Sequence, residues 1–210
     1  MYIPEHYKIT DEDLIDEFIR YNGFATIISP NTEYALITHI PMELEYDDQG
    51  NRLLRGHLAK ANPHGKYLLE NPGATAVFLS DFNHYISSSW YNYAEAPTWN
   101  YMSVHVSGPV RILDDRETAD SVRDLTKRHE KDIGGDLDFD KLPSGVLKQL
   151  RYVTGIEMKV EKTEAVFKLS QNQDTINFDR IVQKLKATGS PKSVKMADAM
   201  MKLRDLFYNG

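Results

Sequence analysis

The stretch that most constrains this chain is residues 53–72, LLRGHLAKANPHGKYLLENP. It begins as a strand ending near Ala59 and becomes a helix that Asn62-Pro63 opens and Asn71-Pro72 closes. Asparagine is a good N-cap, proline fits the first helical position, and a later proline commonly stops a helix. A strand running into a helix N-terminus leaves backbone N–H groups beside Lys60 and His64, which suits an anion such as a phosphate. Plain packing uses the same spacing, so a phosphate site and a packing junction both remain open at this point.

A chain of 210 residues, 41% of them hydrophobic, can bury a core as one large domain or as a domain with an appendage. No apolar run approaches the roughly 20 residues that span a bilayer, and MYIPEHYKIT has neither a basic nor an apolar leader region. A cytoplasmic location is the expectation. The absence of cysteine excludes disulfides, thiol catalysis and the common structural zinc sites. The net charge is −6, unevenly spread: residues 180–204 carry +6, leaving −12 for the rest.

Periodicity predicts a helix over 11–21, with Thr10 and Asp13 as a capping-box-like start and Leu14, Ile15, Phe18 and Ile19 as its apolar stripe. Runs 24–29 and 34–40, separated by Pro30-Asn31-Thr32, read as a hairpin. After the central stretch come a buried strand over 74–79 and two aromatic segments, HYISSSWYNY and APTWNY, which hold both tryptophans. Residues 101–107 alternate as a half-buried strand, Gly108-Pro109 interrupts it, and 110–113 resumes it. A helix over 115–130 puts Ala119, Val122, Leu125 and His129 on one side, so His129 reads as a core histidine. A short helix over 144–152 follows, then strands 155–161 and 165–170 as a second hairpin turning at 162–164. Helices over 176–187 and 192–208 close the chain. The fold class is α+β, mainly β: an antiparallel barrel with peripheral helices and a helical C-terminal tail.

The sequence has no dinucleotide fingerprint, no phosphate loop and no H-E-x-x-H. Its histidines come from separate elements without ligand spacing, so no metal is expected. What remains suits a flat, polar-edged, phosphorylated ligand, which needs aromatic walls, edge donors and a cationic pocket. Trp90, Trp99 and Tyr101 are candidate walls; Ser87, Ser88, Ser89, Thr98, Asn100 and Gln171 are candidate edge contacts; Lys60, Asn62 and His64 are candidate phosphate holders. The tryptophans serve equally well as ordinary core or interface anchors.

Nine segments in order carry a resemblance: MYIPEHY, FATIIS, ITHIP, GHLAKANP, YISSSWY, PTWNYMSVHVSG, LTKRHE, TGIEMKVEK and FKLSQN. Together they make the chain, from its first residue to about Asn172, resemble the PaiB-type family of FMN-binding transcriptional regulators. The resemblance implies an FMN-binding split β-barrel related to pyridoxamine-phosphate-oxidase-like flavoproteins, working as a homodimer with FMN between subunits. It implies cofactor contacts at Thr38, His39, Lys60, Ala61, Asn62, His64, Ser87, Ser88, Trp90, Trp99, Lys168 and Gln171. It also implies a division into an FMN-binding domain over 1–173 and a helical extension with a basic face over 174–210. Three places depart from the family pattern: Ser88 stands for proline, Lys60 for arginine, and His64-Gly65 for a Gln-Trp pair.

Two functional readings follow from the resemblance. A regulator contacts DNA or a DNA-binding partner, and the basic tail, two helices with a Gly-Ser-Pro turn, has a loose helix-turn-helix look. The alternative for the tail is a solvated helix face, and the −12 on the rest of the chain argues for weak DNA binding. An enzyme uses FMN for electron or hydride transfer, with His39, His57 and His105 available but no residue singled out as catalytic. A flavin-sensing dimer without catalysis is the third reading.

Overall fold

A computed structural model describes residues 1–31 and 33–208; Thr32, placed in the first hairpin turn by the sequence, lies outside the described residues. The elements begin with β1 (Lys8–Ile9), α1 (Glu12–Tyr21), β2 (Phe24–Ser29), β3 (Leu36–Tyr46), β4 (Arg52–Ala59) and α2 (Pro63–Glu70). Next come β5 (Gly73–Leu79), β6 (His84–Ile86), β7 (Thr98–Ile112), α3 (Asp115–Asp132) and α4 (Ser144–Leu147). Then follow β8 (Val153–Lys159), β9 (Lys162–Lys168), α5 (Thr175–Thr188), α6 (Pro191–Lys202) and α7 (Arg204–Tyr208). The chain divides into two compact units, each with its own core.

The barrel unit comprises Ile19–Phe78 and His105–Thr163. Its strands run in the order β5-β2-β3-β4-β8, and β7 pairs with both ends to close six strands into a barrel. Alternation explains the closure: Ala25, Ile27, Leu54, Ala76, Val106, Ile156 and Met158 all point inward and are buried. Helix α3 lies against β8 and β4 on the outside. Its start carries a full capping box, Asp114 with Glu117. The close approach that requires glycine is at Gly108, where an added Cβ would lie 1.8 Å from the Lys159 carbonyl oxygen. For that reason Gly108-Pro109 does not interrupt β7, which runs unbroken across the expected gap.

The helical unit comprises Met1–Phe18, Leu79–Val104 and the chain from Glu164 onward. Here β1 pairs with β9 (Ile9 opposite Ala165) and β6 with β7 (Tyr85 opposite Trp99). Helix α5 buries Phe178, Ile181, Val182 and Leu185, and α6 buries Met196, Ala197 and Met200. The turn between them uses Gly189 at φ 71°, the left-handed conformation that suits glycine at a helix end.

The structure corrects several local expectations. Asp11, not Thr10, caps α1, its Oδ1 accepting from the Leu14 N–H at 3.0 Å. Strands β8 and β9 do not form a hairpin: β8 pairs with β4 and β7, while β9 pairs with β1 and β7. Within the barrel, β7 takes the place beside the end of β8, where the Glu161 N–H donates to the Ser107 carbonyl. His129 is exposed rather than in the core, with Nε2 3.6 Å from Glu43. The last predicted helix breaks at Leu203 into α6 and α7.

Candidate functional site

In the barrel unit, β3, β4 and α2 bring together Thr38, Lys60, Ala61, Asn62 and His64. Asn62 caps α2 as the sequence predicts, its Oδ1 accepting from the His64 N–H at 3.0 Å. His64 is buried at 1% exposure, and both of its ring nitrogens are used: Nδ1 lies 2.9 Å from Thr38 Oγ1, and Nε2 3.0 Å from Ser29 Oγ. Burial pulls its imidazole below the usual histidine value, so the ring is neutral near pH 7. Asn62 Nδ2 adds a donation to Thr38 Oγ1 at 3.3 Å. The cluster therefore locks the β4-α2 junction onto β3 and β2.

The helix start offers an anion less than its sequence suggests. Pro63 has no N–H, the His64 N–H serves Asn62 Oδ1, and the Gly65 N–H donates to the Asn62 carbonyl at 3.2 Å. The exposed ammonium of Lys60 has no carboxylate partner among the described residues, which leaves it as the main cationic group there. Arg151 joins it. The Lys60 N–H donates to the Tyr152 carbonyl at 2.7 Å, and the Arg151 guanidinium stacks 4.6 Å from the Tyr152 ring centroid. Sequence reasoning missed Arg151, because only the β4-β8 register, Ala59 opposite Val153, brings it near Lys60. His39 points outward from β3, its Nδ1 2.9 Å from Thr26 Oγ1.

The helical unit holds the other six candidates. Ser87 Oγ caps the turn Ser88–Trp90 by accepting from the Ser89 N–H, and Ser88 is exposed. Trp90 stacks on His84 at 6.3 Å, and its carbonyl accepts from Arg180 Nε at 3.1 Å. Trp99 is 56% exposed and meets Tyr85 edge to face at 6.1 Å. Lys168 donates to Thr98 Oγ1 and lies 5.6 Å above the Tyr7 ring. It has no carboxylate partner among the described residues, and burial pulls its ammonium below the ordinary lysine value. Gln171 turns inward: its Nε2 donates to the Phe167 carbonyl at 2.6 Å and its Oε1 accepts from the Leu169 N–H at 2.8 Å. That amide grips the backbone on either side of Lys168 and fixes it. Asn100 is likewise consumed, exchanging hydrogen bonds with Ser170 Oγ.

Residues 1–162 match the family described as a putative FMN-binding domain. The chain belongs to this family. FMN is accordingly its cofactor, and each unit by itself holds groups whose chemistry suits one: in the barrel unit Lys60, and in the helical unit Lys168 with the exposed aromatic pair Tyr85 and Trp99, both lysines without a carboxylate partner among the described residues. The protease synthase and sporulation protein PAI 2 of Bacillus subtilis (strain 168) is 31% identical over 201 residues, covering 95% of this chain and 96% of that protein. Among solved structures, an FAD and heme binding protein from Mycobacterium smegmatis superposes with a TM-score of 0.58 at 14% identity, covering 77% of this chain and 73% of that one. The flavocytochrome Anf3 from Azotobacter vinelandii gives 0.57 at 13%, covering 79% and 72%. Both are similar in fold. No helix among the described residues is long and apolar enough to cross a membrane.

Proposed function

We propose that this chain is a PaiB-type FMN-binding homodimer whose regulatory role runs through its flavin rather than through strong DNA contacts of its own. In this reading Thr38, His39, Lys60, Ala61, Asn62 and His64 serve the cofactor from the barrel unit, Lys60 at the phosphate and the others as its support. Ser87, Ser88, Trp90, Trp99, Lys168 and Gln171 are its other proposed contacts. The observation that carries the reading is the fate of the basic tail in α5 to α7. Lys195 pairs with Asp81, Lys202 with Glu17, Lys186 with Asp198 and Arg204 with Asp179. Arg180 donates to the Trp90 carbonyl. Among the described residues, Lys184 and Lys192 alone of the seven cations in 180–204 remain without a partner. A DNA site that neutralises several phosphates needs its cations uncommitted. In the proposed extension 174–210, α5 and α6 also bury their apolar faces, which spends them on packing.

When bound, FMN supplies electron or hydride transfer, which supports flavin-dependent oxidoreduction as a second reading. Lys168 favours it: a half-buried cation without a counter-charge, held against an aromatic face, is a group that tunes a flavin's electronics. The deciding experiment combines two measurements on the full chain. FMN titration should produce a shifted flavin spectrum and a raised melting temperature, about 2.7 kcal/mol of stabilisation at 100 times Kd. DNA titration across salt should give only weak, sequence-independent binding. Unchanged melting at saturating FMN refutes the cofactor site; nanomolar sequence-selective DNA binding refutes the regulatory route; rapid flavin reduction by NADH or NADPH selects the enzyme.

A further inference from the structure

Within the helical unit, Ser170 is the one non-glycine residue among the described residues with a positive φ, 63°. Left-handed backbone crowds a Cβ, so on backbone grounds alone glycine suits this position better. Such a conformation persists only where its surroundings over-determine it, and it gathers where a functional group must be held. The serine is buried at 2% exposure, in the turn that leaves β9 two residues after Lys168. What it has over glycine is a hydroxyl, and that hydroxyl is fully used. Its Oγ accepts from Asn100 Nδ2 at 2.9 Å and donates to Asn100 Oδ1 at 3.1 Å. Asn100 is itself fully buried, and its Nδ2 also lies 3.7 Å from Met200 Sδ in α6, so the carboxamide is held in one orientation.

Thr98 and Asn100 are two residues apart on β7 and share a face of it. Asn100 takes Ser170, and Thr98 accepts from the Lys168 ammonium, so one strand fixes both ends of the segment 168–170. Gln171 grips the same segment through the Phe167 carbonyl and the Leu169 N–H, and the Gln173 N–H donates to the Ser170 carbonyl at 3.1 Å. All this order surrounds one charge without a carboxylate partner among the described residues, the Lys168 ammonium, 5.6 Å from the Tyr7 ring centroid. A turn built for packing alone takes glycine or asparagine where φ is positive.

We infer that Ser170 and Asn100 are positioning residues for Lys168: the left-handed turn, latched by the serine-asparagine pair, holds the ammonium in one place for the flavin. The inference rests on the cofactor role proposed above for Lys168 and names what keeps that lysine fixed. A lysine side chain is long and mobile, so its charge acts at a defined point only when both its backbone and its ammonium are pinned. Here Thr98 and the Tyr7 ring hold the ammonium, and the latch holds the backbone two residues on. A fixed cation favours the negative charge a flavin gains on reduction over the oxidised ring, so its placement bears on potential as well as on affinity.

The test is a double-variant cycle on the full chain with Ser170→Gly, Lys168→Met and the two combined, melting temperatures being measured alongside. Glycine keeps the left-handed turn without strain and deletes only the latch, so the fold survives the change. Each single variant should raise the FMN Kd about tenfold and lower the midpoint potential of bound FMN, and the combination should be no worse than Lys168→Met alone. Without FMN, the pH midpoint for labelling of the Lys168 amine by acetic anhydride, read by peptide mass, should rise in Ser170→Gly towards that of the exposed lysines, because burial holds it low in the wild type. Asn100→Ala should reproduce Ser170→Gly in both readouts. Losses that add in the combination, or a labelling midpoint left at the wild-type value, overturn the positioning role and leave the cofactor role of Lys168 standing. A Lys168→Met variant with wild-type FMN affinity and potential overturns that cofactor role and this inference together.

Discussion

Replacing His64 by leucine is the most informative change in the barrel unit, because it separates bracing from ligand contact. The ring is 1% exposed and bridges Thr38 and Ser29 at 2.9 and 3.0 Å. Leucine fills nearly the same volume, so the cavity term is small and the loss is polar. Thr38 keeps its donation from Asn62, but Ser29, fully buried, keeps no ring to bond. Two net hydrogen bonds at about 1 kcal/mol each, plus about 1 kcal/mol for the stranded serine hydroxyl, give a loss of about 3 kcal/mol. In a domain of this size that lowers the melting temperature by about 6 to 12 °C.

The sharper test is the pair. Adding Ser29→Ala to His64→Leu removes the stranded hydroxyl, so the double variant should be about 1 kcal/mol more stable than His64→Leu alone and well short of the sum of the single losses. Thermal and urea unfolding of all four proteins measure this directly. A loss below about 0.5 kcal/mol for His64→Leu, or strict additivity, refutes the bridge. FMN affinity should fall in His64→Leu through a displaced Asn62 and Lys60, while affinity for riboflavin, which lacks the phosphate, should change less.

Glu157→Gln should cost about 2 kcal/mol and lower the melting temperature accordingly, since the nearly buried carboxylate accepts from Arg55 Nε and Arg111 Nε at 2.7 Å each, discounted for the part-exposed guanidiniums. Burial pushes the Glu157 carboxyl up but the two guanidinium hydrogen bonds outweigh it, so urea unfolding at pH 7 should show the loss. Stability should also fall on mild acidification: burial holds His57 and His64 below the ordinary histidine value, so the unfolded chain binds protons first. Their contribution is complete above about pH 6.5 and is lost as pH drops through that value towards the folded one. His57→Gln should flatten part of that slope, its buried Nδ1 having no hydrogen-bond partner among the described residues. A pH profile of urea midpoints with the same slope for wild type and His57→Gln refutes the assignment.

Legibility in the sequence followed the range of the interaction. The α2 start was readable because Asn62 and Pro63 act within one turn, and the capped helix is there. Barrel strands were readable where alternation is local, as at 24–29; the strand expected at 155–161 begins and ends two residues earlier, at 153–159. The β8-β9 pairing was not, because a short connection looks the same whether the strands pair or part. What parts them, Gly108 against the Lys159 carbonyl, lies some fifty residues away in sequence. By its place in β8, Glu157 faces outward like a surface charge. It is outward, yet Arg55 and Arg111 cover it, and neither can be inferred from the strand's own pattern. His129 shows the converse error, a helical stripe that ends before its last member reaches anything apolar.

The motif residues divide by what they touch, and that division bears on the departures from the family pattern. Asn62, His64, Ser87, Asn100 and Gln171 spend their polar atoms inside the chain, shaping backbone rather than presenting themselves to a ligand. Lys60, Ser88, Trp99 and Lys168 are the ones left with an exposed group or an uncompensated charge. The His64-Gly65 pair is internally consistent in this light. An added Cβ at Gly65 would already sit 3.4 Å from Leu58 Cδ1, so a large side chain at 65 would press on the barrel core. His64 meanwhile anchors the same turn to Ser29 and Thr38. Where the resemblance implies a Gln-Trp pair, this chain therefore has a pair that tightens the junction between β4 and α2. In the function proposed above the phosphate falls to Lys60, whose point charge lacks the two-pronged grip of arginine.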